Sequence, residues 1–159
     1  MNNINTNPHL KILGINDDAD FCAVCGKTHL KRVVWIQDMN GAGGIIHVGT
    51  TCATKQYGYL FGKNVEGAAL KAQKENINTL KDFIESLIES SDDYKAKETA
   101  QDAVGPKDPA NFVARHKAGE PFLDRINSQR ESYFQETGLN PTGTQVIDFD
   151  KFSYALASI

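Results

Sequence analysis

Cysteine is scarce in this sequence: Cys22, Cys25 and Cys52 are the whole complement. An odd count makes a poor disulfide framework, which needs pairs. No stretch comes near the roughly 18 apolar residues that cross a bilayer as a helix, so no membrane partner is expected. Residues 1–8 carry neither a basic cluster nor an apolar run. No secretion signal is therefore expected, and a reducing cytoplasmic setting is. The chain also lacks the usual catalytic groupings. Gly41-Ala-Gly-Gly44 is not followed by Lys-Ser or Lys-Thr and is flanked by two strand-like segments, so it does not read as a phosphate loop. Glu85, Glu89, Asp92 and Asp93 have no spacing that demands a catalytic metal. His116, between Arg115 and Lys117, reads as part of a solvated helix face. His47 has no partner set for nuclease chemistry. The sequence predicts no enzyme.

What is present suits a soluble globular chain: 40% hydrophobic and 23% charged over 159 residues. That length allows one domain, or a small module followed by a helical domain. The net charge of −3 is unevenly spread. Residues 22–81 hold eight Lys and Arg against three Asp and Glu, a balance of +5. Residues 82–159 hold eight against fourteen, a balance of −6. A basic half invites contact with nucleic acid, although such a balance also suits an ordinary solvated surface.

Along the chain, residues 1–20 read as a flexible N-terminal segment, Asn-rich and ending in Asp17-Asp18-Ala-Asp20. Residues 30–37 are rich in β-branched and aromatic side chains and predict a strand. Asn40-Gly41 supplies turn chemistry, and residues 45–48 predict the returning strand of a hairpin. Thr50 is a candidate N-cap for a short helix over residues 53–59. Residues 64–90 predict a long amphipathic helix with Leu70, Ile77, Leu80, Ile84, Leu87 and Ile88 on one face. A polar helix follows over residues 92–104. Asp108-Pro109 opens another that ends at Gly119. Residues 121–137 predict a further helix closed by Gly138, residues 145–149 a strand, and Asp150 the cap of a last short helix. The expected fold class is α+β: a zinc-binding hairpin module over residues 21–63, then a mainly helical domain over residues 64–159.

The cysteines carry the strongest chemical signal. Cys22-x-x-Cys25-Gly26 places two sulfurs on one side of a tight turn, and the glycine lets the backbone fold back toward them. A hairpin follows, and then Gly49-Thr-Thr-Cys52 at a helix start, where a thiolate meets the positive end of the helix dipole. Knuckle, hairpin and helix-borne ligand come in treble-clef order. Zinc takes four ligands in a tetrahedron, so three cysteines leave one place. His29 and His47 compete for it, with Asp20 or water as further candidates. His29 is tethered four residues from Cys25 and is the preferred fourth ligand, giving the set Cys22, Cys25, His29 and Cys52. Neither a redox pair nor buried free thiols suits this order as well, because a redox pair belongs at a strand-to-helix junction.

The segment resembles a zinc motif of small bacteriophage and mobile-element proteins. The matching residues are Cys22, Cys25, Gly26, Lys27, Thr28, His29, Leu30, Gly49, Thr50, Thr51, Cys52 and Ala53. Members often carry Asp or Glu where His29 stands, and the resemblance thereby supports a ligand at that position. It covers residues 21–60 and implies a metal module without a defined activity.

Lys31, Arg32 and Trp35 on the hairpin, and Lys55, Tyr57, Tyr59, Phe61 and Lys63 after it, interleave basic and aromatic side chains. Such a surface can contact phosphates and stack bases. Trp35 is nevertheless expected to pack the module rather than face solvent. The function expected is a zinc-stabilised binding or regulatory protein that contacts nucleic acid through Lys31, Arg32, Lys55 and Lys63. The alternative is an inhibitor or adaptor that engages a host protein through the acidic helical half.

Overall fold

The computed structural model describes residues 9–38 and 44–159, except for the side chain of Tyr59. The turn expected around Asn40-Gly41, and the first eight residues of the segment expected to be flexible, lie outside the described residues. The fold class is α+β, as expected. The chain divides into two compact units, Met1–Asn78 and Thr79–Ile159. The division falls inside a helix, Val65–Glu89.

In the first unit, β1 (Leu10–Asn16), β2 (Val33–Asp38) and β3 (Ile45–Gly49) form an antiparallel sheet in the order β1-β2-β3. The first strand corrects the flexible reading over residues 10–16: Ile12, Leu13 and Ile15 are all buried there, and the register shift at Leu13 lets Ile12 and Ile15 share one apolar face. Its register against β2 shifts between Ile12 and Gly14. A bulge leaves backbone groups without a ladder partner. The helix α2 (Val65–Glu89) supplies them: Asn76 donates to the Leu13 carbonyl at 3.1 Å, and Gln73 accepts the Ile15 amide at 2.9 Å.

One sheet face carries Ile12, Ile15, Val34, Ile36 and Val48, buried with Ala53 of α1 (Thr50–Phe61) and with Val65 and Ala69 of α2. Each buried Val or Ile contributes roughly 1.5–3 kcal/mol. That outweighs an exposed ion pair such as Lys71–Glu75, worth about 0–1 kcal/mol. The unit is therefore held by its core. Two local expectations change. The N-cap of α1 is Gly49, without a side-chain cap, and Thr50 is the first helical residue. Leu70 is exposed because Ala69 takes the buried position on that turn.

In the second unit, α3 (Asp92–Asp102) starts at Ser91, whose side chain accepts the Tyr94 amide. A 3-10 turn at Pro109–Asn111 is capped by Asp108, as the Asp-Pro pair predicts. Then α4 runs unbroken over Phe112–Glu136, through Gly119 and Pro121, where the sequence predicts two helices. Its buried residues Arg115, Gly119, Ile126 and Phe134 recur at helical spacing, so a single buried face runs past both breakers. Pro121 is exposed, which leaves the carbonyl it frees open to water.

Arg115 is buried, contrary to a solvated stretch at 115–117. Its guanidinium donates to the Gln101 carbonyl at 2.9 Å, to the Gly105 carbonyl and to Asp102 at 2.8 Å. It thereby closes the C-terminal end of α3, where carbonyls lack helical partners. The final helix, α5 (Phe149–Ala157), is capped by Asp148 rather than Asp150. The strand expected over residues 145–149 reduces to one bridge between Leu139 and Val146.

Candidate metal centre

The knuckle is built by three backbone hydrogen bonds. Cys22 donates to the Lys27 carbonyl and Gly26 to the Cys22 carbonyl, both at 2.9 Å. Gly26 closes this turn at φ +73°, a left-handed conformation that glycine adopts without penalty. Ala23 then donates to the His47 carbonyl at 2.9 Å, which fastens the knuckle to β3. Where β3 ends, Gly49 leads into α1, and Cys52 stands in the first turn of that helix. The sheet and the helix thus bring a third sulfur to the two of the knuckle.

The Cys22, Cys25 and Cys52 sulfurs all lie within 4.8 Å of one another. Cys22 is buried in the core of the unit, Cys52 is half-buried and Cys25 is exposed. Zn–S bonds of about 2.3 Å in a tetrahedron put sulfurs about 3.8 Å apart. The cluster thus lies within the range from which three sulfurs can converge on one ion. These three cysteines can hold a metal ion.

The thiols differ in acidity. Burial alone raises Cys22, but the amides of Cys25, Gly49 and Val24, with the Cys25 thiol, more than offset this and bring it down to about 7. Cys52 is raised to about 11, first by hydrogen bonds with the Cys25 and Cys22 thiols, then by burial and the nearby sulfur charges. The backbone amides thus favour the thiolate at Cys22, whereas the neighbouring sulfurs favour the protonated form of Cys52.

The structure gathers three of the four residues that the sequence proposes as ligands, and His29 is not among them. No other His, Cys, Asp or Glu among the described residues joins the group. His29 is exposed and stands at φ +59°, a left-handed backbone conformation. The next residue, Leu30, donates its amide N–H to the Asp20 carbonyl at 2.8 Å. Although close in sequence to Cys25, His29 does not belong to the group of donors within 4.8 Å. His47 is held elsewhere: its Nδ1 lies 2.9 Å from the Phe21 carbonyl oxygen, and its ring meets those of Phe21 and Trp35 edge-on. Trp35 itself is buried, as expected for a packing residue.

A cavity of about 410 Å³ opens at the cysteines, with Lys27, Lys31, Arg32 and Glu66 also on its wall. Arg32 and Glu66 form an ion pair. A neighbouring cavity of about 380 Å³ has Lys55 and Lys63 on its wall. The two share Thr50, Thr51 and Glu66. All four basic residues singled out in the sequence line one or the other. Glu66, which carries no motif signal of its own, is the acidic residue common to both.

No protein-family model matches the chain, and no characterised protein or solved structure shows significant similarity to it.

Proposed function

We propose that the protein is a zinc-stabilised binding protein that contacts nucleic acid along its two adjoining cavities. The metal part rests on the cysteine cluster. Three thiolate-capable sulfurs with no pairing arithmetic suit zinc, whose borderline-soft character favours such donors. Bound there, the ion would supply folding energy, joining the knuckle to α1; structural zinc sites provide on the order of 10 kcal/mol of apparent binding energy.

The observation that carries the nucleic-acid reading is the shared wall of the cavities. Lys31 and Arg32 flank one and Lys55 and Lys63 the other, with Thr50 and Thr51 between them. Basic side chains spaced along a continuous groove can follow successive phosphates. Glu66 works against this by pairing with Arg32, so the three lysines should dominate. A regulatory role in a phage or other mobile element fits the motif that residues 21–60 resemble.

Elemental analysis of protein purified without added metal tests the first part, with about one zinc per chain expected. Cys52→Ser should lose the metal and unfold the first unit, and unchanged zinc content would reject the site. Titration of labelled DNA and RNA at two salt concentrations tests the second. Affinity should fall steeply with salt, and Lys31→Ala with Lys55→Ala should flatten the slope by roughly 0.7–0.9 for each phosphate that is no longer neutralised. Absence of binding at low salt retires the nucleic-acid reading.

The alternative, a host protein engaged through the second unit, has one observation in its favour. Phe112 and Val113 are 70% and 76% exposed, and Phe112 lines a cavity of about 640 Å³ with Lys107, Pro109 and His116. Large apolar side chains exposed side by side often mark protein contacts. A pull-down that survives nuclease treatment and fails with Phe112→Ser would favour it.

A further inference from the structure

We infer that this chain supplies only three ligands to its metal, and that the fourth position faces the cavity and takes an exogenous thiolate bearing a second negative group. The inference rests on the zinc reading and adds the class of ligand.

The donor count comes first. Cys22, Cys25 and Cys52 converge, and no fourth donor among the described residues joins them. The nearby candidates are otherwise disposed. His47 is engaged by the Phe21 carbonyl, His29 is exposed at a left-handed bend, and Glu66 is paired with Arg32. Zinc sites with three protein ligands keep an open position, whereas closed structural sites use four.

The space comes second. The three cysteines themselves form part of the wall of the cavity of about 410 Å³. That falls within the range of roughly 300–1,000 Å³ typical of small-ligand sites.

Charge and softness then select the ligand. A metal already held by thiolates accepts another sulfur readily. A divalent ion on three thiolates carries one net negative charge, and a fourth thiolate adds another. Lys27, Lys31 and Arg32 on the wall exceed Glu66 in charge and offset this. They also leave a cation free to hold a carboxylate carried by the same molecule. A thiol with a carboxylate therefore fits better than a neutral thiol or a carboxylate alone. The incoming thiol gives its proton to solvent, and no other bond is made or broken.

Cobalt-substituted full-length protein provides the test. Sulfur-to-cobalt charge-transfer absorption reports the cysteine set, and the visible ligand-field bands report the fourth donor. Mercaptoacetate, 2-mercaptoethanol and acetate are each titrated. Mercaptoacetate should shift the visible bands at a concentration about tenfold lower than 2-mercaptoethanol, and acetate should have little effect. Lys27→Ala combined with Lys31→Ala should remove that advantage while the charge-transfer absorption persists. Equal response to the two thiols overturns the charged-ligand assignment. If the visible bands respond to none of the probes while charge transfer is present, the position is filled from within the chain and the inference fails. In that case a spectral change in His29→Ala would name the donor. Absence of charge transfer is a different failure, that of the metal site itself, and the inference falls with it.

Discussion

The Nδ1 of His47 donates to the carbonyl oxygen of Phe21 at 2.9 Å, and the two rings meet edge to face at 4.3 Å. A carbonyl oxygen only accepts, so Nδ1 carries the proton. This pair joins the strand to the residue that precedes the knuckle. His47→Ala should cost about 1–2 kcal/mol through removal of the hydrogen bond and the ring packing. It should leave the metal stoichiometry unchanged. Denaturant unfolding together with elemental analysis checks both, and loss of zinc from a folded variant would contradict the packing role.

His29 offers the complementary case. Its left-handed backbone, φ +59°, is tolerated by His and Asn but resisted by β-branched residues. His29→Asn should keep both stability and zinc, whereas His29→Val should destabilise the first unit by about 1–2 kcal/mol. Zinc loss in His29→Asn would restore the histidine as a ligand.

Metal affinity should rise with pH. A ligating sulfur carries no proton, so binding displaces whatever protons the thiols hold. Cys52, held at about 11 by its contacts with the Cys25 and Cys22 thiols, is protonated throughout the neutral range and always gives one up. Cys22, at about 7 because backbone amides outweigh its burial, adds a second proton below that pH. The logarithm of affinity should thus climb by at least about one per pH unit above neutrality and more steeply below it. Chelator competition, corrected for the chelator's own protonation, gives the slope; a flat profile would exclude protonated thiols.

Arg115→Ala should destabilise the second unit by about 2–4 kcal/mol. The substitution removes the donor to the Gln101 and Gly105 carbonyls and the partner of Asp102. Arg115→Lys should recover part of this, since an ammonium cannot reproduce the planar fork. Thermal unfolding of the two variants should rank them in that order.

Gly138→Ala should be more damaging than the addition of one methyl group suggests. A Cβ there would lie 2.1 Å from the Asp148 carbonyl oxygen, and the backbone stands at φ +79°. The clash is with main chain, so no side chain can move aside. A loss of at least about 3 kcal/mol is expected, and an unchanged melting temperature would refute it.

These cases show what the sequence makes legible. The cysteine spacing, the hairpin strands and the Asp-Pro helix start are local signals, and the structure carries each of them. The edge strand β1 was hidden because its partners lie in β2 and α2, far along the chain. Gly119 and Pro121 act as breakers in isolation, yet the buried stripe of α4 runs through them. His29 stands apart from the cysteine group for a related reason. Distance along the chain bounds how far His29 can stray from Cys25, but it does not say which way the side chain points. His29 takes a left-handed backbone conformation, and one sequence gives little warning of it.

The order of the cysteines has a consequence during synthesis. Cys22 and Cys25 leave the ribosome together, whereas Cys52 follows only after the whole hairpin has been made. At about 5–20 residues per second, the interval lasts roughly 1–5 seconds. For that time the growing chain carries a bare pair of thiols, open to oxidants and to competing metals. The nascent knuckle can make its turn and meet β3, but its third sulfur arrives only with the helix that comes next.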